Sequence, residues 1–585
     1  MDDKNTINYF AETDFRNKKT RFGIKAKDRT KHVYVIGKTG MGKSTLLENM
    51  AVQDILNGEG MAFIDPHGGT AEKLLEYVPE HRIKDVVYFA PFDTDYPVSF
   101  NVMEDVGKDK RHLVANGLMS AFKKLFGEES FSDRMQYILQ NTILALLEYP
   151  GATMLGINKM LVDKVYRNKV IANITDPSVK TYWTKEYAGY TERFAAEAIP
   201  AIQNKIGQFT SNPLIRNIVG QPKSSFDVRK IMDEKKILIM NLSKGRMGEQ
   251  NSNLLGSMLI TKIYLAAMSR ADLNNSELSQ KPNFYFFVDE FQSFANESFA
   301  DILSEARKYK LNLTIAHQYI EQMPEEVRAA VFGNVGTMIV FRVGSFDAEI
   351  FEKEFAPEFT AEHIVNLGFA QIYLRLMIDG IGSKPFSAVT LPPISLSAQS
   401  FKNEIIKSSR ENYAKPRAFV EEEITKWHAP AEPAPIFQRE FTPKKAEPSK
   451  DHVTPPPPAA RFVQEREEER PRYPKYPPAT IGKTVSGPKE VEVLEQKPKP
   501  VSLSALKNTP GAVSQNKAEL KKALEEVLNA TNNKNNQPTV EAKPKKEEEN
   551  RQAPAKEDPA SETAQKTDSA TIKEVPEDVL RKILE

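Results

Sequence analysis

With 585 residues the chain exceeds what a single hydrophobic core supports, so two or more domains are expected. Its 80 Lys and Arg offset 79 Asp and Glu to a net charge of +1, so bulk charge gives no argument for nucleic acid, and the absence of cysteine excludes disulfides, thiolate metal sites and cysteine nucleophiles. No apolar run reaches the roughly eighteen residues of a spanning helix, and Met1-Asp2-Asp3-Lys4 lacks signal-peptide character, so a cytoplasmic protein without an integral membrane segment is expected.

Residues 1–32 contain one short strand signal, Arg21-Phe22-Gly23-Ile24-Lys25. Next, His32-Val33-Tyr34-Val35-Ile36 is a β-branched and aromatic run that suits a buried strand. It opens onto GKTGMGKST, Gly37 to Thr45, and then onto a helical apolar pattern that runs to Leu56 and stops at Asn57-Gly58. This fits G-x-x-x-x-G-K-[ST]: the glycines let backbone N–H groups turn inward around phosphates at the positive end of the following helix. Lys43 is expected to reach the β- and γ-phosphates and Ser44 to ligate Mg²⁺, with Gly37, Thr39, Gly40, Gly42 and Thr45 completing the cradle for a nucleoside triphosphate. The bland alternative, a glycine-rich turn that binds nothing, is disfavoured by the strand before it and the helix after it.

Met61-Ala62-Phe63-Ile64-Asp65 reads as a second strand ending in Pro66-His67-Gly68-Gly69, and Asp85-Val86-Val87-Tyr88-Phe89 as a third. Asp65 and His67 thus fall at a strand's carboxyl end, where open α/β sheets bind ligands; a helix cap explains them equally well. Residues 106–205 change character: Met135, Ile138, Leu139, Thr142, Ile143, Leu146 and Leu147 recur at helical spacing, and an all-α insertion is expected.

The sheet resumes at Lys236–Leu242, followed by a basic loop, Ser243–Asn253, and a helix over roughly 252–271. Lys244 and Arg246 in that loop are either simply solvated or, as the family resemblance given below implies, meet DNA phosphates in a central channel. Asn283–Val288 is an apolar strand ending in Asp289-Glu290; the Asp suits the Mg²⁺ shell and the Glu suits activation of an attacking water. Another strand, Leu311–Ala316, ends in His317-Gln318, where a polar residue senses a γ-phosphate from the neighbouring strand. Arg307, on a predicted helix upstream, is either a surface residue or a finger reaching a neighbouring subunit's nucleotide, with Arg342 and Arg375 as the next candidates. The last strand signals are Thr337–Phe341 and Ala370–Arg375.

A helix is expected over 396–428. Beyond it, 22 of the 38 prolines but only five aromatics fall in 429–585, too little apolar surface to order the chain, so a disordered tail is expected. Within it, Leu520, Leu524, Val527 and Leu528, and again Val579, Leu580, Ile583 and Leu584, share one helical face and are candidate partner-binding stretches.

GKTGMGKST, FIDPHG at 63–68, FFVDEFQSF at 286–294 and LSEARKYKLNLTIAHQ at 303–318 resemble the HerA–FtsK superfamily of motors, and most of all the coupling proteins of conjugative type IV secretion systems. The resemblance spans about residues 20–395. It implies an α/β fold: a RecA-like P-loop NTPase domain from 1–105 and 206–395, an inserted all-α domain at 106–205, a C-terminal helix and a long disordered tail. It further implies ATP and Mg²⁺ as cofactors, with Lys43 and Ser44 on phosphate and metal, Asp289 on metal, Glu290 on water, Gln318 as sensor and Arg307 acting in trans. The implied partners are DNA, further copies in a hexameric ring, and secretion-machinery or relaxosome proteins held by the tail. Such proteins usually begin with transmembrane helices, and this chain has none, which widens the options from a permanently anchored motor to a soluble, recruited one, cytoplasmic or peripheral at the inner face of the cell membrane. Two alternatives stay open: a nucleotide-dependent assembly scaffold, and a motor for protein secretion or pilus assembly.

Overall fold

The computed structural model describes residues 6–429 except 16–17, 297 and 397–398, with the backbone alone at 14–15 and 192–197. The expected disordered tail, with its two apolar stretches, lies outside the described residues apart from Ala429.

The chain is organised on an eleven-stranded sheet. Its strands are β1 (Ile7–Phe15), β2 (Lys18–Lys25), β3 (Val33–Ile36), β4 (Gly60–Asp65), β5 (Val86–Phe89), β6 (Ile237–Asn241), β7 (Phe284–Val288), β8 (Leu311–His317), β9 (Thr337–Val340) and β10 (Gln371–Arg375). After a small separate hairpin, β11 (Met377–Ile378) and β12 (Ile381–Gly382), β13 (Phe386–Thr390) completes it. The spatial order is β2-β1-β13-β10-β9-β3-β8-β7-β4-β6-β5. From β9 to β5 every neighbouring pair is parallel, and from β9 back to β2 every pair is antiparallel.

The apolar run of each parallel strand follows from helices covering both faces. Successive side chains alternate between two cores. Val33, Val35, Met61, Phe63, Ile237, Ile239 and Phe287 pack with Leu47, Met50 and Ile55 of the helix Lys43–Leu56 on one face. Tyr34, Ile36, Ala62, Ile64, Leu238, Met240 and Phe286 pack on the other with the helical insertion and the helix Glu249–Met268.

Four details depart from the sequence reading. Among the described residues no strand occurs between Phe89 and Ile237, and the helices Pro213–Val219 and Val228–Asp233 carry the insertion past residue 205. The expected helix over 396–428 is two helices, Lys402–Tyr413 and Arg417–His428, because Pro416 offers no N–H to continue the first. The predicted loop at 243–253 is helical over Lys244–Met247 and again from Glu249, the two being separated by Gly248 at φ +83°. Strands β1 and β13 were not anticipated. A register shift between Tyr9 and Ala11 breaks the alternation of β1, and four of the nine side chains of β1 (Asn8, Glu12, Thr13, Asp14) are polar.

Candidate nucleotide site

The parallel strands end at one edge, and their last residues meet there. The loop after β3 is anchored to the strands on either side: Gly37 N–H donates to His317 O at 3.3 Å and Lys38 N–H to Arg342 O at 2.8 Å. Gly40 and Gly42 take φ of +77° and +114°, which side chains strain to adopt, and a Cβ at Gly37 would lie 2.5 Å from that of Phe341. The result is a tight arch opening into the helix Lys43–Leu56. Inside it the Lys43 ammonium donates to Gly37 O at 2.6 Å and Lys38 O at 3.1 Å. Burial lowers its pKa below the usual lysine range, against the opposing pull of Glu290 and Asp289.

Ser44 Oγ donates to Asp289 Oδ2 at 3.0 Å, joining the first turn of that helix to the end of β7. Asp289 is buried, and burial, followed by the charges of Asp65 and Glu290, raises its pKa to about 6. Its other oxygen accepts the Glu290 N–H at 2.9 Å. Glu290 sits at φ +49°, ψ +50°, a left-handed conformation a glutamate holds only where its surroundings enforce it. Its Oε1 accepts from Gln318 Nε2 at 2.8 Å, its Oε2 from Gln292 Nε2, and Gln318 Oε1 in turn accepts from Thr39 Oγ1 at 2.9 Å. A continuous polar chain therefore runs from the arch to the glutamate: Thr39, Gln318, Glu290, Gln292.

Gln292 was not singled out from the sequence. Its role depends on the turn Phe291–Ser293 folding back beneath Glu290, and no spacing rule signals that. His317, next to Gln318, is fully buried, with Nε2 on the Tyr34 hydroxyl and its pKa lowered to about 3 by burial and then by Lys43. It is a neutral strut. Asp65 caps: its carboxylate accepts from His67 N–H at 2.8 Å and Ala71 N–H at 2.9 Å, setting the turn into the helix Gly69–Glu76. The His67 side chain instead points toward the site, with Nε2 3.8 Å from Glu290 Oε1.

The candidate arginines lie apart from one another. Exposed Arg307 occupies the turn Ala306–Tyr309 before β8, at the amino edge of the sheet, close enough to His32 for its charge to add to the burial that lowers that imidazole's pKa to about 4. The seven residues of β8, roughly 23 Å of strand, separate it from Gln318. Arg342 lies beside the arch, whereas Arg375 is at the amino edge, paired with Glu354 at 3.4 Å. Lys244 and Arg246 are not simply solvated. Lys244 Nζ contacts Glu249 at 3.1 Å and Ser293 Oγ at 2.9 Å, and Arg246 pairs with Glu72 at 2.8 Å and covers the Phe92 ring.

Among known proteins, the model of the type IV secretion-system coupling protein DNA-binding domain matches residues 20–357. Solved structures similar to the chain include the following three. The bacterial conjugative coupling protein TrwBdeltaN70, in an unbound form, is 14% identical with a TM-score of 0.49, covering 68% of this chain and 91% of that one. The plasmid coupling protein TrwB in complex with ADP and Mg²⁺ is 16% identical at 0.48, covering 65% and 89%. VirB4 of Thermoanaerobacter pseudethanolicus is 13% identical at 0.43, covering 69% and 99%. No curated protein sequence matches. The family match spans more than half of the chain and includes the arch, the Asp289-Glu290 pair and Gln318, and the protein belongs to the type IV secretion-system coupling protein DNA-binding domain family.

Proposed function

We propose that this protein is an ATP-hydrolysing motor that couples turnover to DNA translocation as a coupling protein of a conjugative type IV secretion machine. The observation that carries the hydrolytic part is the polar chain from Thr39 through Gln318 to Glu290, beside the Ser44–Asp289 contact. A protein that only bound nucleotide would need the arch and Lys43. It would not need a strained, buried glutamate wired to it.

The arch N–H groups and Lys43 bind the β- and γ-phosphates. Glu290 accepts a proton from the attacking water as that water's oxygen bonds to the γ-phosphorus and the bond to the β,γ-bridging oxygen breaks, releasing ADP and phosphate; Gln318, shared between Thr39 and Glu290, sets the glutamate's position relative to the phosphate. Mg²⁺ fits Ser44 and Asp289. Burial, and then the charges of the neighbouring buried carboxylates Asp65 and Glu290, hold Asp289 near a pKa of 6, and a cation would relieve that repulsion. Asp289 and Ser44 supply one carboxylate and one hydroxyl, which suits a Mg²⁺ that takes its other ligands from substrate phosphates and water. When bound, it neutralises charge on the phosphates.

Arg307 lies at the wrong edge to serve its own site, so as a finger it acts on the nucleotide of a neighbouring copy, which supports a ring, taken to be a hexamer. Residues 1–105 and the strands from β6 onward form the motor, the helical insertion a second domain, and the tail a docking arm for secretion or relaxosome proteins. Among the described residues no helix is long and apolar enough to cross a membrane. As a coupling protein the motor would work in the cytoplasm or peripherally at the inner face of the membrane. The test is ATPase rate with and without single- and double-stranded DNA, in wild-type protein and Glu290→Gln. DNA-stimulated turnover that Glu290→Gln abolishes while ATP still binds supports the motor. Binding without turnover in the wild type supports an assembly scaffold instead.

A further inference from the structure

A phosphate arch leaves the identity of the base unread. Where the base falls follows from the sheet order. The γ-phosphate end must face Glu290 and Gln318, which follow β7 and β8 on one side of β3. The nucleoside must then leave on the other side, over β9 and β10. Two strand spacings separate β3 from β10, roughly 10 Å, comparable to the reach from a β-phosphate to its base.

At that place stands Phe369, with 74% of its surface exposed. A single exposed apolar side chain is ordinary, so exposure alone argues nothing. Its setting does. Ala370 N–H donates to Met41 O in the arch itself, at 3.3 Å, which fixes the neighbouring residue against the phosphate loop. Ala370 takes φ +61°, Thr390 N–H donates to its carbonyl at 2.9 Å, and Gly368 N–H donates to Gln371 Oε1 at 2.7 Å. The backbone on both sides of Phe369 is pinned while its ring is left in solvent: a rigid platform beside the arch. The family match ends at residue 357, so this platform lies outside it.

We infer that Phe369 is the base platform of the nucleotide site and stacks on the purine of bound ATP. The inference rests on the nucleotide-site reading above, and its test separates the two. Binding of ATP and of inorganic tripolyphosphate, each with Mg²⁺, is measured by calorimetry on wild type, Phe369→Ala and Phe369→Trp, at a concentration where light scattering gives all three the same oligomeric state. Phe369→Ala should weaken ATP by roughly 5- to 150-fold, the range for loss of one base–aromatic stack, and leave tripolyphosphate unchanged. Phe369→Trp should retain ATP affinity, and its added indole fluorescence should be quenched by ATP and not by tripolyphosphate. Unchanged ATP affinity in Phe369→Ala, equal weakening of both probes, or a loss that tracks dissociation of oligomers overturns the inference while the phosphate site stands. Failure of wild type to bind either probe overturns both.

Discussion

Asp289→Asn should make the nucleotide-free protein more stable at neutral pH while destroying its use of Mg²⁺. The Asp289 carboxyl has an ordinary pKa of 3.8 and one of about 6 in the fold, chiefly through burial and then through Asp65 and Glu290. Between those values the folded protein binds more protons than the unfolded chain, so stability falls as pH rises through the window and stays reduced above it. The full displacement corresponds to about 3 kcal/mol. Asparagine never ionises and so escapes that cost; it keeps one acceptor for either Ser44 Oγ or the Glu290 N–H, and losing the other bond gives back about 1 kcal/mol. The net expectation is a gain of about 2 kcal/mol at pH 8, shrinking to nothing or to a small loss at pH 4. Urea denaturation of both proteins without nucleotide, at pH 4, 5, 6, 7 and 8, measures it. Parallel stability profiles across that range would show that Asp289 is not held protonated by its neighbours. In the same variant Mg²⁺ should cease to strengthen ATP binding, because its carboxylate partner is gone.

Glu290→Gln should bind ATP normally and hydrolyse it about 10²–10⁴-fold more slowly, the usual worth of a positioned base; an unchanged single-turnover rate removes it from that role. Arg307→Ala should lose ATPase that mixing with Lys43→Ala restores in part, since each subunit supplies what the other lacks. Mixed oligomers that form and stay inactive refute a finger acting in trans and make Arg342, beside the arch, the next residue to change. Arg246→Ala should cost little stability, its pair with Glu72 being a surface one worth about 0–1 kcal/mol, and should flatten the salt dependence of DNA affinity by about 0.7–0.9 in log–log slope if it meets a phosphate. Lys244→Ala should in addition alter DNA-free ATPase, because Lys244 holds Ser293 in the turn that carries Gln292 beneath Glu290; a DNA-free rate equal to wild type would show that this contact does not reach the site.

What the sequence determined by itself is whatever lies within a few residues along the chain. A buried strand, a glycine-rich arch and a helix start are one continuous stretch, so Gly37 to Thr45 was legible without any distant contact. The same holds for Asp289-Glu290 and Gln318, each read from the apolar strand that delivers it to the sheet edge. The tertiary structure decided everything that depends on which edges meet. Strand β13 is recognisable only because β10 and β1 flank it, and β1 only because Phe10 and Ala11 find the core despite a bulge. Asp65 turned out to cap because its own turn folds onto it, and Gln292 reaches Glu290 because the chain reverses between them. Lys244 and Arg246 looked free because their carboxylate partners, Glu249 and Glu72, come from a helix start and from a different segment of the chain. Periodicity reports which face of an element is apolar, not what that face meets, and the pairings that join the arch to the far strands, Ser44 with Asp289 and Thr39 with Gln318, cross more than two hundred positions of chain.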